Sequence, residues 1–336
     1  MKRLLITICG RAGSKGFKNK NLKNFCGKPL VYYSLSAAEL FIKKHPELEI
    51  DVALNTDSED LARLVAAEYP EVIYLPRGAE LGGDRVPKVE VYKDSFARME
   101  ARTGKQYDAM IDLDITSPLR TEQDIENAFA KAQEREDLQI IFSVCEARRN
   151  PWFNMFKIVG DHAEMVIESQ FTGRQQAPEV YDVNASIYVI RRAFLVDNPD
   201  PILWHSKFGV SVMMDTGIID IDSEHDYLLM EAIAQHLYAH YPEFNAVREI
   251  SVADALFDRA LELVMDAGQT LLENGGEVFR AQQTMEIMAA SLGVRDFHVY
   301  VLTNGIFASA HLPGGMPSRW CGMCPPCRSI WAASRP

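Results

Sequence analysis

Residues 4–21, LLITICGRAGSKGFKNKN, join a short apolar run to a glycine-rich basic loop. The run LLITIC is typical of a strand that is buried on both faces. In the loop Gly10–Gly16, glycines let backbone N–H groups turn toward a phosphate, while Arg11, Lys15 and Lys20 supply positive charge. The loop has neither the GxxxxGK[ST] spacing of a P-loop nor the GxGxxG pattern of a dinucleotide-binding fold. We therefore predict a phosphate-binding loop; the alternative is a basic loop that only contacts solvent.

Short apolar runs alternate with helical patterns along the first half of the chain. Further runs typical of buried strands lie at 50–54, 72–75, 109–113 and 139–145. Amphipathic patterns predict helices at about 29–44, 58–68, 87–102 and 122–135. Ser58 and Thr121 have the side chains and positions of helix N-caps. The alternation favours an α/β fold with a mostly parallel sheet, which binds ligands at the carboxyl ends of its strands.

The second half of the chain is organised differently. From 150 to 215 the sequence predicts strands joined by polar turns, which indicates hairpins added to the main sheet or exchanged with a partner subunit. A strand and a helix follow; Pro242 is predicted to close that helix, and we place a domain boundary at 249. Beyond it, two helices broken at Asn274-Gly275-Gly276 and a strand at 297–302 form a segment that we bound at 250–310. Residues 311–336 lack periodicity, and we predict a disordered tail.

Composition narrows the class of protein. The 336 residues allow one large domain with an appendage, or two domains. Since 35 Lys and Arg stand against 47 Asp and Glu, the net charge of −12 argues against nucleic acid as a partner. No apolar run reaches the roughly 18 residues of a membrane span, so we expect no membrane insertion and a cytoplasmic protein. Cys321, Cys324 and Cys327 have metal-knuckle spacing without a clear fourth ligand, which favours an unstructured thiol-rich tail.

Several motifs, taken together, carry a family resemblance. They are Arg11–Gly16 with Lys20-Asn21, Thr116-Ser117-Pro118-Leu119-Arg120, Arg174-Gln175-Gln176 with Asn184, and Asp220-Ile221-Asp222. Their order over about residues 1–240 resembles that of the acylneuraminate cytidylyltransferases, the synthetases of CMP-sialic and CMP-legionaminic acids. The resemblance implies a nucleotide-diphospho-sugar transferase-like fold for residues 1–249. It also implies a homodimer, formed through a hairpin-rich insertion at about 146–190.

The same resemblance implies a reaction. CMP passes from CTP to the anomeric hydroxyl of a nonulosonic acid, a nine-carbon 2-keto sugar acid, and pyrophosphate is released. Arg11, Lys20 and Arg174 are the implied catalytic residues. The implied nucleotide contacts are Arg11, Gly13, Ser14, Lys15, Lys20, Asn21 and Arg77, and the implied substrate contacts are Asp114, Thr116, Ser117, Arg174, Gln175, Tyr181 and Asn184. For Arg77 the alternative is an exposed turn residue, and for Tyr181 it is ordinary hairpin packing.

Carboxylates provide a candidate metal site. Asp220 and Asp222 are two apart on a predicted strand and would share one face, where Mg²⁺ would offset their repulsion. The resemblance assigns them that metal; the alternative is a solvent-facing edge strand. Asp114 stands where many family members carry Gln, so it either adds a metal ligand, as in the related KDO cytidylyltransferases, or alters the sugar contact. No histidine stands out as a general base.

Other functions remain open on the sequence. One is a KDO-type or other sugar nucleotidyltransferase, and another is a non-catalytic CTP-binding scaffold whose appendage recruits a membrane partner. Residues 255–309 resemble the start of the soluble region of threonine/serine exporter proteins. The exporter's membrane spans do not follow, so transport is not inferred. The abrupt change after Ala310 suggests a fusion followed by out-of-frame translation.

Overall fold

The computed structural model describes residues 1–13, 17, 19–83, 86–200, 202–216, 221–292, 294–302, 305–311, 319–324 and 327–332. The chain divides into two units, Met1–Arg248 and Glu249–Pro336. Of the residues predicted to be functional, Ser14, Lys15 and Asp220 lie outside the described residues.

The first unit alternates strands and helices. Its strands are β1 (Arg3–Gly10), β2 (Asn24–Phe25), β3 (Lys28–Pro29), β4 (Glu49–Thr56), β5 (Ile73–Pro76), β6 (Ala109–Leu113), β7 (Ile140–Glu146), β8 (Phe156–Val159), β9 (His162–Met165), β10 (Tyr181–Arg191) and β11 (Phe208–Val212). Its helices are α1 (Leu30–Lys44), α2 (Glu59–Glu68), α3 (Lys88–Thr103), α4 (Glu122–Glu134), α5 (Arg192–Asp197) and α6 (Glu224–His240). Single turns of 3₁₀ helix cover Lys20–Leu22, Ala79–Leu81, Arg174–Gln176 and Leu203–His205.

Seven strands form the main sheet, in the order β11-β7-β10-β6-β1-β4-β5. β1 is parallel to β4 and β6, β4 is parallel to β5, and β11 is parallel to β7. β10 runs antiparallel to both β6 and β7. The sheet is therefore mixed but mostly parallel, which confirms the predicted α/β class. The carboxyl ends of β1, β4 and β6 meet at one edge.

The central strands β1, β6 and β7 are buried on both faces, as the continuous apolar runs predict, whereas the edge strand β11 exposes Phe208 and Val212. Side chains of β1 alternate between two cores: Leu4, Ile6 and Ile8 pack with α1, α2, α4 and α6, while Leu5 packs with α3 and α5. The predicted N-caps are also confirmed. Ser58 Oγ accepts a hydrogen bond from the Leu61 N–H, and Thr121 forms a capping box with Asp124.

The region after β7 forms strands, as predicted, but in two places. β10 and β11 join the main sheet, whereas β8 and β9 pair only with each other. The hairpin of β8 and β9 leaves large apolar side chains uncovered: Phe156 is 63% exposed and Ile158 is 84% exposed.

The structure confirms the prediction for Pro242, because α6 ends at His240, two residues before it. The same proline is also the first residue of a further helix, α7 (Pro242–Glu273), and Tyr241 separates the two helices. Its ring fixes a φ that suits the first turn of a helix, where its missing N–H costs no hydrogen bond. A proline after one helix thus begins the next.

The second unit contains helices and a four-stranded antiparallel sheet. α8 (Val278–Ser291) follows the predicted break at Asn274-Gly275-Gly276, where Gly275 has a φ of 78°. β12 (Arg295–Leu302), β13 (Gly305–His311), β14 (Arg319–Cys324) and β15 (Cys327–Ala332) pair in sequence order. Two of these strands, β14 and β15, lie within residues 311–336, for which we predict a disordered tail. In the structure, β14 pairs with β13 on one side and with β15 on the other, so the sheet continues into this segment.

Candidate active site

The loop after β1 is held from two sides. The buried Asn21 donates a hydrogen bond from Nδ2 to the carbonyl of Arg11 at 3.1 Å. On the other side, the Ala12 N–H donates to Asp57 Oδ1 at 2.5 Å. Gly13 has a φ of 74°, a left-handed conformation that glycine adopts without strain. Asn21, for which we predict a nucleotide contact, thus fixes the backbone of the loop in this structure.

Four predicted nucleotide residues line one cleft of about 320 Å³: Arg11, Gly13, Lys20 and Asn21. Lys20 connects this cleft to a residue 202 positions away, because its Nζ donates to Asp222 Oδ1 at 3.0 Å and to the Ile221 carbonyl at 2.9 Å. The structure thus brings a predicted metal ligand beside the predicted phosphate loop. Asp222 lies in the turn before α6, not on a strand, so the predicted shared strand face does not hold for it.

Arg77 is fixed at the ends of β4 and β5. Its Nε donates to Asn55 Oδ1 at 2.6 Å, and its Nη2 donates to the Asn55 carbonyl at 3.0 Å. Asn55 is buried and donates in turn to Ser95 at 2.9 Å. Two hydrogen bonds to Asn55 therefore orient the Arg77 guanidinium, whereas the side chain of an exposed turn residue would contact only solvent.

A lysine and two aspartates lie at the end of β6. Asp112 is fully buried and accepts hydrogen bonds from Thr7 Oγ1 at 2.9 Å and Tyr92 OH at 2.8 Å. Lys88 Nζ lies 3.0 Å from Asp112 Oδ2 and 2.7 Å from Asp114 Oδ2. The other oxygen of Asp114 accepts from both the N–H and the hydroxyl of Thr116, at 2.9 and 2.7 Å.

The charges of this cluster stabilise one another. Burial opposes the ionised forms of Lys88 and Asp114, but their attraction and hydrogen bonds outweigh it. As a result, the pKa of Lys88 lies well above its ordinary value, and the pKa of Asp114 lies well below. The ammonium also lies over the rings of Tyr92 and Tyr188, 5.5 and 5.1 Å from their centroids.

Lys88 is a residue of this site that the sequence motifs do not predict. The feature of the sequence that could have indicated Lys88 is its position as the first residue of α3, directly after Pro87. A helix N-terminus carries partial positive charge, which disfavours a cation unless carboxylates offset it.

Arg120, the last residue of the TSPLR motif, is buried beneath the loop. Its guanidinium donates to Ser186 Oγ and Ser34 Oγ, each at 2.9 Å, and to the carbonyls of Ser117 and Asp114. Burial lowers the pKa of Arg120 to about 10, so the group stays charged at neutral pH. Arg120 therefore supports the loop that carries Thr116 and Ser117.

Three other predicted residues line a second cleft of about 310 Å³: Arg174, Gln175 and Tyr181. Arg174 Nη2 donates to the Ala147 carbonyl at 3.0 Å, and Tyr181 OH donates to Glu179 at 3.2 Å. Asn184 lies apart from these residues: it is buried, accepts from Ser143 Oγ at 2.6 Å and contacts the Met213 sulfur at 3.5 Å. Asn184 thus packs inside β10 in this structure.

Across the described parts of the chain, no group of three or more His, Cys, Asp or Glu side chains could hold a metal ion. Within the same ranges, every helix is too short or too polar to span a bilayer.

Comparison with solved structures identifies the class of fold. The structure of a CMP:2-keto-3-deoxy-manno-octonic acid synthetase complexed with CTP superposes with a TM-score of 0.52 at 15% identity, over 70% of this chain and 99% of that one. The first unit's α/β fold is thus shared with that synthetase. The profile of the cytidylyltransferase family matches residues 5–269. The chain belongs to that family.

Curated relatives agree over the same region. Post-translational flagellin modification protein B of Campylobacter coli is 35% identical, over 69% of this chain and 94% of the relative. CMP-N,N'-diacetyllegionaminic acid synthase of Campylobacter jejuni is 36% identical with the same coverage. The profile of threonine/serine exporters matches residues 262–319, as the resemblance at the C-terminal end predicts.

Proposed function

We propose that this cytidylyltransferase transfers CMP from CTP to the anomeric hydroxyl of a nonulosonic acid and releases pyrophosphate. The observation that carries the proposal is the cleft after β1, where Arg11 and Lys20 lie together at the carboxyl edge of the sheet. A legionaminic-type acid is the first acceptor to test, because a relative named for that product is 36% identical.

The reaction requires charge stabilisation more than covalent help from the protein. A bond forms between the anomeric oxygen and the α-phosphorus as the hydroxyl gives up its proton to water. The bond from the α-phosphorus to the bridging oxygen breaks, and pyrophosphate leaves with that oxygen. Negative charge on the phosphate oxygens and on the leaving group must be offset. Arg11 and Lys20, with Ser14 and Lys15 of the same loop, are the residues that we assign to this task, and Arg77 is assigned to the nucleotide as well.

Mg²⁺ is the proposed cofactor, with Asp222 and Asp220 as ligands. Asp222 fits this role because its side chain is 76% exposed, so an ion can replace its contact with Lys20 at little cost. Mg²⁺ is commonly held by one or two carboxylates together with substrate phosphates, so a ready-made cage of protein ligands is not required. Bound there, the ion would neutralise phosphate charge.

The acceptor is assigned to the second set of residues. Arg174 is the candidate partner of the sugar carboxylate, because a planar guanidinium donates to both oxygens of a carboxylate. Gln175 and Tyr181 line the same cleft. Asp114, Thr116 and Ser117 approach from the loop after β6, and Asn184 is proposed to support the pocket from β10.

A homodimer is the proposed assembly. An isolated two-stranded hairpin is marginally stable in water, and β8 and β9 expose Phe156 and Ile158. A second copy that packs on this hairpin would cover both side chains. Sedimentation of the purified chain tests this proposal, since a monomer at micromolar concentration would contradict it.

The function is tested by CTP-dependent pyrophosphate release with N-acetylneuraminate, N,N'-diacetyllegionaminate and KDO, each with Mg²⁺ and with EDTA. Metal-dependent release with a nine-carbon acid is expected, and Arg11→Ala and Asp222→Asn should each abolish it. Arg135→Ala is the matched control, because this exposed arginine pairs with Asp137 outside the site. Turnover of KDO alone would favour a KDO-type enzyme, and CTP binding without any turnover would favour a scaffold.

A further inference from the structure

The proposed reaction gives no role to Lys88, which lies between Asp112 and Asp114. Two carboxylates, Asp112 and Asp114, project near each other from the end of β6, as in many sites for divalent cations. In this chain the space between them holds an ammonium group, which lies within 3.0 Å of an oxygen of each. The aromatic rings of Tyr92 and Tyr188 flank that ammonium.

The oxygens of both carboxylates are already occupied. One oxygen of Asp112 accepts a hydrogen bond from Thr7, and the other contacts Tyr92 and Lys88. Asp114 receives Thr116 twice on one oxygen and Lys88 on the other. A divalent cation could bridge the pair only by displacing Lys88.

The location of Lys88 argues that the pairing is specific. As the first residue of the 16-residue helix α3, it meets the positive end of the helix dipole, which disfavours a cation there. The two carboxylates offset this cost. The lysine also has a structural connection to the reaction, because Asp114 holds Thr116 in the loop proposed to contact the acceptor.

We propose that Lys88 is a positioning residue that occupies the place of a divalent cation between Asp112 and Asp114. Through Asp114 and Thr116, it fixes the loop 114–117 for the acceptor sugar. The part that concerns the acceptor rests on the proposed function. The cluster therefore binds no metal in the wild-type chain, and Asp114 acts as an ion-paired anchor instead of a ligand.

Cation binding tests the first part without any turnover. Mn²⁺ binding is measured by electron paramagnetic resonance, without nucleotide, for the wild type, Lys88→Met and the double variant Lys88→Met/Asp114→Asn. Lys88→Met should bind one additional Mn²⁺, and the double variant should lose it. No additional Mn²⁺ in a folded Lys88→Met protein would overturn the proposal. Lys88→Gln is a second uncharged variant, should the methionine variant fail to fold.

Kinetics test the second part. Lys88→Met should raise the KM for the acceptor about tenfold or more while the KM for CTP changes less than about threefold; Lys88→Arg should restore most of the acceptor KM. Lys105→Met is the matched control, because Lys105 is 36% exposed against 37% for Lys88 and pairs with Asp51 at 2.7 Å, beyond the other end of α3. Equal changes in both KM values would overturn the positioning role.

The two tests separate the two proposals. If the wild type releases no pyrophosphate with any nonulosonic acid, the proposed function fails, yet the Mn²⁺ result still decides whether Lys88 stands in for a cation. If turnover is normal and Lys88→Met gains no Mn²⁺, only the inference about Lys88 fails.

Discussion

Replacing Arg120 with methionine should destabilise the first unit and loosen the loop after β6, while leaving the cations of the loop after β1 in place. The guanidinium is 1% exposed and donates four hydrogen bonds beneath the loop after β6. Methionine retains much of the apolar stem but donates none of these bonds. The loop would lose its internal support, whereas Arg11 and Lys20 belong to a different loop.

The magnitude follows from the acceptors that lose their donor. The Asp114 carbonyl keeps the Ser34 hydroxyl, which donates to it at 3.0 Å. The Ser117 carbonyl and the hydroxyls of Ser186 and Ser34 lose the hydrogen bonds from Arg120, although the Ser34 hydroxyl still donates to Asp114. A buried polar group without its partner costs about 1–3 kcal/mol, so we expect a loss of about 3 kcal/mol in the free energy of unfolding. For a unit of this size, that corresponds to a decrease of about 6–12 °C in Tm.

Hydrogen exchange is the appropriate assay, because the chain has two units and its unfolding need not be two-state. Protection is compared on peptides that cover β6 and β10. Arg191→Met is the matched control: this arginine also donates to backbone carbonyls but is less buried, so we expect about 1 kcal/mol. Unchanged protection in Arg120→Met, combined with loss of acceptor binding, would refute the reasoning and place Arg120 in contact with the substrate.

Three further predictions address other parts of the first unit. A Cβ at Gly10 would lie 2.8 Å from Ile115 Cδ1 and 3.1 Å from the Asn21 amide, so Gly10→Ala should cost about 1–3 kcal/mol and weaken CTP binding; calorimetric titration that shows wild-type affinity would contradict this. Burial opposes the charged form of His45, but hydrogen bonds to Glu126 and Glu47 raise its pKa, so its contribution is complete below its ordinary pKa and is lost as pH rises through the raised value. In urea unfolding, His45→Gln should lower the free energy of unfolding more at about pH 6 than at about pH 9. An equal loss at both pH values would argue against the pairing of His45 with Glu126 and Glu47. Ending the chain after Arg248 should leave kcat/KM unchanged, because the predicted site residues precede it; an inactive but folded product would show that the second unit contributes.

Most of the sheet could be predicted from the sequence because its signals are local. The helix predicted at 29–44 is Leu30–Lys44, and the strand predicted at 109–113 is Ala109–Leu113. Both lie between clear turn or cap signals, and both bury apolar side chains in a regular pattern. The antiparallel direction of β10 could not be predicted in this way. It depends on how a long connection returns to the sheet, and the alternation of residues within a strand does not record direction.

The residues of the candidate site likewise differ in whether local sequence predicts them. Arg11, Lys20 and Asn21 could be predicted because their loop directly follows a buried strand. Lys88 could not, because its carboxylate partners are more than twenty residues away and meet it only when α3 packs on the sheet. Arg120 belongs to a motif that the sequence analysis singles out, yet its burial follows from contacts with α1 and β10.

The cations of the site differ in what their partners allow. Lys20 pairs with Asp222, whose side chain is 76% exposed, so water or phosphate oxygens can replace that contact at little cost. Lys88 pairs with the fully buried Asp112, and its departure would leave an uncompensated carboxylate in the interior, which is strongly unfavourable. The same residue type therefore serves two purposes. We therefore expect Lys20 to exchange its partner for a phosphate, and we expect Lys88 to remain in place throughout turnover.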